Sequence, residues 1–427
     1  MSNTPKRALA AFTGGISNGE YGLEAADIVA MERGQGCHLW DTSGREYLDF
    51  SMAWGSCLVG HARPEVVEAV TRQAPLGSNF AFLNAQVMEL AEEIQSVSPA
   101  AERLRFCASG TEATMYCQRV ARGYTGRRKI LKFEGAYHGA NETGVTSLFP
   151  NKMLDFPTPE LTSAGTPHVA DLLLVAPYND LETTRAIIEE HKADIAAVIM
   201  EPLQRCTPPL EDFLEGVRAL CTDNDILLIF DEVVTGFRLA YGGAQEYYGV
   251  IPDLIAYGKA MGGGYPIGAF GGRAEVMEMV NEQRIGGNDY VWMASTLGGN
   301  PVSCAAALAA LSVYRQPGTY ERLHQLGRTL RSGMADILEK RQIIGQIIGD
   351  GPLAQVVFTD APAINYRGTF KGDKKLARAT MLALFRKAVF LNPMGTKLYL
   401  SIAHDEAVID EFLGRFDEAL GEAAASV

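Results

Sequence analysis

The sequence predicts an α/β protein: a mostly parallel sheet covered by helices on both faces, followed by a second, smaller lobe. Three observations carry this. Five short apolar runs, at 129–133, 172–175, 196–200, 226–230 and 254–257, lack the alternation of a half-exposed strand. A sheet buried on both faces requires strands of that kind. Helical stretches separate the runs, as crossovers between parallel strands would. At 427 residues the chain also exceeds one ordinary core, so a large and a small domain are expected.

Each element can be justified in turn. The N-terminus, MSNTPKRALAAFTGG, has two basic residues but no long apolar stretch, so no secretory signal is expected. Residues 36–50 read as two short strands joined by a turn at 41–44. A helical pattern begins near Pro64, with Val66, Val67, Ala69 and Val70 on a face. The five apolar runs follow, each ending in polar or glycine residues. From about Arg315, helices such as 320–340 mix with short strands such as 398–402, which reads as the second α/β lobe. The chain has no internal repeat and no low-complexity linker.

Composition excludes several functions. With 47% hydrophobic and 21% charged residues the chain is globular rather than disordered. A net charge of -13 disfavours a broad nucleic-acid or anionic-membrane surface, so an anionic ligand needs a local trap. Seven scattered cysteines without a CxxC pair read as buried free thiols in a reducing cytosol, and a cytoplasmic location is expected. No metal site is expected, and no apolar run is long enough to span a bilayer.

The chemistry lies at the ends of the runs. In Phe106-Cys-Ala-Ser-Gly-Thr-Glu-Ala-Thr114, the small turn Ser109-Gly110-Thr111 opens a helix whose free N–H groups and dipole favour an anion. A plain N-cap explains the same residues equally well. In Phe133-Glu-Gly-Ala-Tyr-His-Gly139, two glycines let Tyr137 approach a flat ligand, where ring stacking adds about 0.5–1.5 kcal/mol beyond burial. A core aromatic in a turn is the alternative.

Ile226-Leu-Leu-Ile-Phe-Asp-Glu-Val233 ends a wholly apolar strand in two acids. Desolvation makes an unpaired carboxylate costly there, so Asp231 needs a buried cationic partner. A protonated pyridine nitrogen serves, as does a distant arginine. Lys259 follows the apolar run 254–257 and precedes Gly262-Gly263-Gly264. A crowded, desolvated lysine becomes an amine nucleophile, whereas a lone lysine is ordinarily a solvated surface residue. The glycines lack the GxGxxG spacing of a dinucleotide site. Lys259 and Asp231 together supply both poles of a pyridoxal-phosphate site. Lys259 holds the cofactor as a Schiff base, and Asp231 keeps the ring nitrogen charged as an electron sink.

The chain resembles the class III aminotransferases, and among them most the glutamate-1-semialdehyde 2,1-aminomutases. The likeness runs from about Gly36 to about Asp410. Its motifs include Leu39-Trp-Asp-Thr-Ser-Gly-Arg-Glu-Tyr-Leu-Asp-Phe50, Val59-Gly-His-Ala-Arg-Pro64, Ser109-Gly-Thr-Glu-Ala113, Lys132-Phe-Glu-Gly-Ala-Tyr-His-Gly139, Phe230-Asp-Glu-Val-Val-Thr-Gly-Phe-Arg238 and Gly258-Lys-Ala-Met-Gly-Gly-Gly264.

The resemblance implies a fold-type I pyridoxal-phosphate enzyme acting as a homodimer with shared active sites. It implies a large domain at 61–314, with 1–60 and 315–427 forming the smaller one. Ser109, Gly110 and Thr111 are implied to bind the cofactor phosphate. Tyr137 and Val233 are implied to flank the ring, with His138 beside them in no assigned role. Lys259 is implied to shuttle the proton as well. Ser295 and Thr296 match the stretch by which the neighbouring subunit reaches the phosphate, and Trp54 matches an aromatic of the substrate pocket.

Four departures fall in segments expected to face the substrate. The aminomutases have Tyr-His-Gly-His-Ala-Asp where this chain has Tyr137-His-Gly-Ala-Asn-Glu142, and Tyr-Gln-Ala-Gly-Thr where it has Trp292-Met-Ala-Ser-Thr296. Asn392-Pro-Met-Gly-Thr-Lys397 replaces a segment that carries an acid in that family, and Glu201-Pro202 runs on into Leu203-Gln-Arg-Cys-Thr-Pro-Pro209. A changed substrate on a retained cofactor follows. The expected activity is transfer of an amino group from an amine, amino acid or amino-sugar donor to a carbonyl acceptor by a ping-pong mechanism. The alternative is an isomerase, either the aminomutase or an amino-group epimerase. A non-catalytic cofactor-binding regulator fits less well, because the lysine is present and no basic DNA-binding module is appended. Arg205 and Lys397 are candidates for reading a substrate carboxylate, unless both are solvated surface charges.

Overall fold

In the computed structural model, residues 4–19, 22–391 and 396–427 are described. Its strands in chain order begin with β1 (Met31–Gln35), β2 (His38–Asp41), β3 (Glu46–Asp49), β4 (Arg103–Cys107), β5 (Lys129–Phe133), β6 (Leu173–Ala176) and β7 (Ile195–Met200). They continue with β8 (Leu227–Asp231), β9 (Leu254–Tyr257), β10 (Gly268–Gly272), β11 (Gln346–Ile348), β12 (Leu353–Val357), β13 (Val389–Phe390) and β14 (Lys397–Tyr399). The chain divides into two compact units. One comprises Glu65–Tyr320 with Pro362–Phe370, the other Met1–Pro64, Glu321–Ala361 and Lys371–Val427.

The larger unit holds a seven-stranded sheet in the order β4-β10-β9-β8-β7-β5-β6. Pairings among β5 to β9 are parallel, while β10 runs antiparallel to both β4 and β9. The five apolar runs are β5 to β9. Side chains of one parity, such as Ile130, Ala197, Ile199 and Ile229, pack in a core with Ala113, Cys117, Val120 and Ala121 of the helix Gly110–Thr125. The other parity, including Leu131, Phe133, Val198, Leu228 and Phe230, packs with Phe213 and Val217 of the helix Phe213–Asp223. Both parities are covered, which is why the runs do not alternate; each such Leu, Ile or Phe contributes about 1.5–3 kcal/mol on burial.

β4 and β10 were not among the predicted runs. Gly268 and Gly271 of β10 approach β4 so closely that a Cβ would sit 2.3 Å from Ser109 O and 2.7 Å from Arg103 O. Three of the five residues of β10 are therefore glycine, which carries no apolar signal.

In the smaller unit β1, β2 and β3 form an antiparallel meander joined by β13, which is parallel to β3. β11, β12 and β14 form a second antiparallel sheet. The helices Thr319–Arg341, Lys374–Arg386 and Glu406–Ser426 supply Leu330, Leu384, Phe412 and Phe416 to its core. The expected turn at 41–44 is present: Asp41 Oδ1 accepts the Ser43 and Arg45 N–H groups at 2.8 and 3.1 Å.

Residues 362–370, expected within the C-terminal lobe, belong instead to the larger unit. Arg367 explains the excursion. Its Nε and Nη2 donate to the two oxygens of buried Glu134 at 2.9 and 3.1 Å, and the Tyr366 hydroxyl donates to Pro150 O at 3.0 Å. All seven cysteines are free and buried. Among the described residues no helix is long and apolar enough to cross a membrane, and no His, Cys, Asp and Glu cluster could hold a metal ion.

Candidate active site

Parallel strands deliver the segments that follow them to one edge of a sheet. In the larger unit that edge gathers the turn after β4, Tyr137 and His138 after β5, Glu201 after β7, Asp231 at the end of β8 and Lys259 after β9.

Asp231 is 4% exposed and His138 fully buried, and His138 Nδ1 lies 2.8 Å from Asp231 Oδ2. Asp231 Oδ1 accepts the Val233 N–H at 3.1 Å. The buried partner demanded by the sequence is thus, within the chain, a histidine rather than a distant arginine. The His138 carbonyl accepts the Thr114 hydroxyl at 2.7 Å and the Asn141 amide at 3.0 Å, which holds the ring in place from behind. His138 Nε2 is buried and has no hydrogen-bond partner.

Tyr137 is held through its backbone. Its N–H donates to Glu201 Oε1 at 2.9 Å, while Glu201 Oε2 accepts the Arg205 N–H at 3.1 Å. One buried carboxylate therefore places both residues, and the Arg205 guanidinium carbon stands 5.9 Å from the Tyr137 ring centroid. Burial raises the pKa of the Tyr137 phenol; Arg205 and a hydrogen bond with the Thr111 side chain oppose the rise. Sequence reasoning missed Glu201, although the signal that exposed Asp231, an acid ending an apolar strand, applies to it equally.

At the turn 109–111 the structure shows the N-cap directly. The Ser109 hydroxyl accepts the Glu112 N–H at 3.2 Å and donates to Glu112 Oε2 at 3.1 Å, so it is spent on capping. The first-turn N–H groups of Gly110 and Thr111 have no acceptor in the helix and can meet an anion. A Cβ on Gly110 would lie 2.7 Å from Val233 Cγ1, and one on Gly258 would lie 3.3 Å from the same atom. Val233 thus sits against both the anion turn and the residue that precedes the lysine. Lys259 is half-buried and opens the turn Lys259–Gly262 at φ 44°, a conformation costing a side-chain-bearing residue roughly 1–2 kcal/mol. Its neighbours, not local preference, set that geometry.

The remaining candidates are placed as follows. Ser295 Oγ donates to Glu112 Oε1 of its own chain at 3.0 Å, and Thr296 O accepts the Asn79 amide at 3.0 Å. Trp292 stands apart, 61% exposed and edge-on to Tyr290 at 6.2 Å. Trp54 and Lys397 belong to the smaller unit. Trp54 is the third of four consecutive residues at positive φ, Met52 to Gly55, and its N–H donates to Ser51 Oγ at 3.3 Å. Lys397 is buried, with Nζ 4.9 Å from the Tyr399 ring centroid. With Arg205 half-buried, neither cation is a solvated surface charge. Residues 392–395 of the rebuilt C-terminal segment lie outside the described residues.

This donor set fits pyridoxal phosphate. The edge of one sheet offers an anion turn, an aromatic ring, a buried acid and an amine, and the imidazole beside the acid keeps one buried nitrogen unpaired. The model of the aminotransferase class-III family matches residues 22–420. A glutamate-1-semialdehyde 2,1-aminomutase of Aquifex aeolicus is 37% identical over 427 residues, covering 98% of each chain. An omega-transaminase from Sphaerobacter thermophilus superposes with a TM-score of 0.93 at 34% identity, covering 99% of this chain and 97% of its own. A transaminase solved with PLP bound gives a TM-score of 0.88 at 28% identity, with 99% and 97% covered.

Proposed function

The chain belongs to the class-III aminotransferases, and from that premise we propose that it transfers an amino group from an amine, amino acid or amino-sugar donor to a separate carbonyl acceptor. Its cofactor is pyridoxal 5'-phosphate. The observation that carries transamination is the contrast between an intact cofactor edge and rebuilt substrate segments. Arg205 is the sharpest case: in one of those segments, it is fixed beside Tyr137 by the carboxylate that also holds Tyr137.

The bound cofactor supplies an aldehyde that takes up the amino group and a ring that withdraws electrons from the substrate carbon. Lys259 would hold the cofactor and, once displaced, would take the proton from the substrate carbon and deliver it to the cofactor's aldehyde carbon, so that the amino group stays with the cofactor. Asp231 would keep the ring nitrogen protonated, with His138 and the Val233 N–H fixing the carboxylate. The N–H groups of Gly110 and Thr111 would bind the phosphate, with Tyr137 and Val233 on either side of the ring. Thr296 would serve the phosphate held by a second copy of the chain. Supporting a homodimer, the loop that Asn79 ties to Thr296 O carries Leu76, Phe82 and Leu83 at 71%, 83% and 69% exposure.

One observation favours the isomerase as second reading: the Aquifex aeolicus relative, similar over nearly the full length, is an aminomutase. A nitrogen-labelled donor separates the two. Transamination moves the label to a different carbon skeleton, whereas a mutase or epimerase leaves it on the original one. Failure of the label to reach any of a broad panel of acceptors, with isomerisation of the donor, overturns the proposal.

A further inference from the structure

Lys132 is a fully buried charged residue of the larger unit that no role above uses. It lies within β5, paired with Val175 and Ile199, and its side chain is fully buried. An ammonium in such a place is costly unless its three N–H bonds are met. Its hydrogen-bond acceptors are main-chain carbonyls: Nζ lies 3.0 Å from Ala136 O, 3.3 Å from Thr143 O, 3.2 Å from Gly144 O and 2.7 Å from Thr146 O. Three of these belong to the short helix Glu142–Val145 and its C-cap Thr146, and the fourth belongs to the residue before Tyr137. The loop therefore closes around one cation. It is packed without slack, since a Cβ on Gly144 would lie 2.2 Å from Gly139 O and 2.7 Å from His138 O. Burial pushes the lysine down to about 7, Arg205 adds to the fall, and Glu201 and Asp231 oppose it.

We propose that Lys132 is a positioning residue for the cofactor: its ammonium is the tethered cation around which residues 136–146 fold, fixing where Tyr137 and His138 stand relative to Asp231. This rests on the reading that Tyr137 and His138 serve the cofactor. Without the cation, the Ala136, Thr143 and Thr146 carbonyls lose the ammonium and Gly144 O keeps only the His138 N–H at 3.5 Å, so the loop opens and the ring and imidazole lose their places.

The test uses Lys132→Met, which keeps the volume, and Lys132→Ala, which leaves a carbonyl cage of the kind potassium accepts. Each unpaired buried acceptor costs about 1–3 kcal/mol, so Lys132→Met should bind pyridoxal phosphate about tenfold or more weakly in a fluorescence titration of the apoenzyme. Hydrogen exchange should accelerate in residues 136–146 and stay unchanged in β7 and β8. Lys132→Ala should recover affinity in potassium chloride but not in tetramethylammonium chloride. Wild-type affinity and wild-type exchange in Lys132→Met overturn the proposal. So does recovery of both variants only as aggregate, which makes the lysine a folding residue. Tyr137→Ala and His138→Asn serve as controls: if they too bind the cofactor like wild type, the failure lies with the reading of those residues and not with Lys132.

Discussion

His138 Nδ1 stands 2.8 Å from Asp231 Oδ2, with side-chain exposures of 0% and 5%. Since the carboxylate accepts, Nδ1 carries the proton, and the imidazole holds the acid in one orientation. In the proposed reading Asp231 pairs with the protonated ring nitrogen, and removing one member of such a buried charged pair costs about 3–5 kcal/mol. Asp231→Asn is therefore expected to slow proton abstraction by more than a hundredfold in single-turnover kinetics, and His138→Asn by a smaller factor. Unchanged rates in both would remove the pair from the chemistry.

Lys259→Ala should fold and bind pyridoxal phosphate without a covalent link. The visible absorbance of the covalently held cofactor and trapping by borohydride should both vanish. Survival of either assigns the link to another lysine.

At least one of Arg205 and Lys397 is expected to read substrate charge, with Arg205 the stronger candidate because of its place beside Tyr137. Arg205→Ala should raise KM for an anionic donor about tenfold, equal to roughly 1.4 kcal/mol, and scarcely affect a neutral amine. The same comparison on Lys397→Ala tests the second cation. Equal effects on the two donors would point to an uncharged or sugar-like amine.

A shared site predicts complementation. A heterodimer of a Thr296→Ala chain and a Lys259→Ala chain should regain part of the activity lost by either homodimer, because one site then carries neither lesion. A verified heterodimer with no activity would mean that Thr296 does not serve the second copy.

His404 sets a pH limit on folding. Fully buried, it accepts the Ser401 N–H on Nδ1 at 3.0 Å, and burial pushes its pKa from 6.5 down to about 4. Between those values the unfolded chain holds a proton that the fold excludes, so stability should fall as pH drops from 6.5 towards 4. Denaturant unfolding of wild type and His404→Gln across that range should show a shallower slope in the variant. Parallel slopes would contradict the buried neutral imidazole.

Much of this was legible in the sequence because burial writes itself into composition. β5 and β9 have the limits their apolar runs give, and β6, β7 and β8 differ by a residue at the ends. Asp231 was legible for the same reason, as an acid where water is absent. Its imidazole was not: His138 is 93 residues away, and no local pattern encodes a pairing across two strand ends. Lys132 was hidden inside a run read as apolar, since its compensation comes from carbonyls that every residue possesses. β10 escaped because close approach to β4, not hydrophobicity, selected its glycines.

The excursion of Pro362–Phe370 into the larger unit bears on how the protein is born. Glu134 and Arg367 are 233 residues apart. At a translation speed of about 5–20 residues per second, the acid leaves the ribosome roughly ten to fifty seconds before its counter-ion exists. During that interval the nascent larger unit has its sheet strands but must keep Glu134 hydrated or neutral. Nascent chains arrested before residue 367 should thus be more open to protease around 134–160 than chains arrested just beyond it, and the final closure of this unit is timed by the C-terminal third of the message.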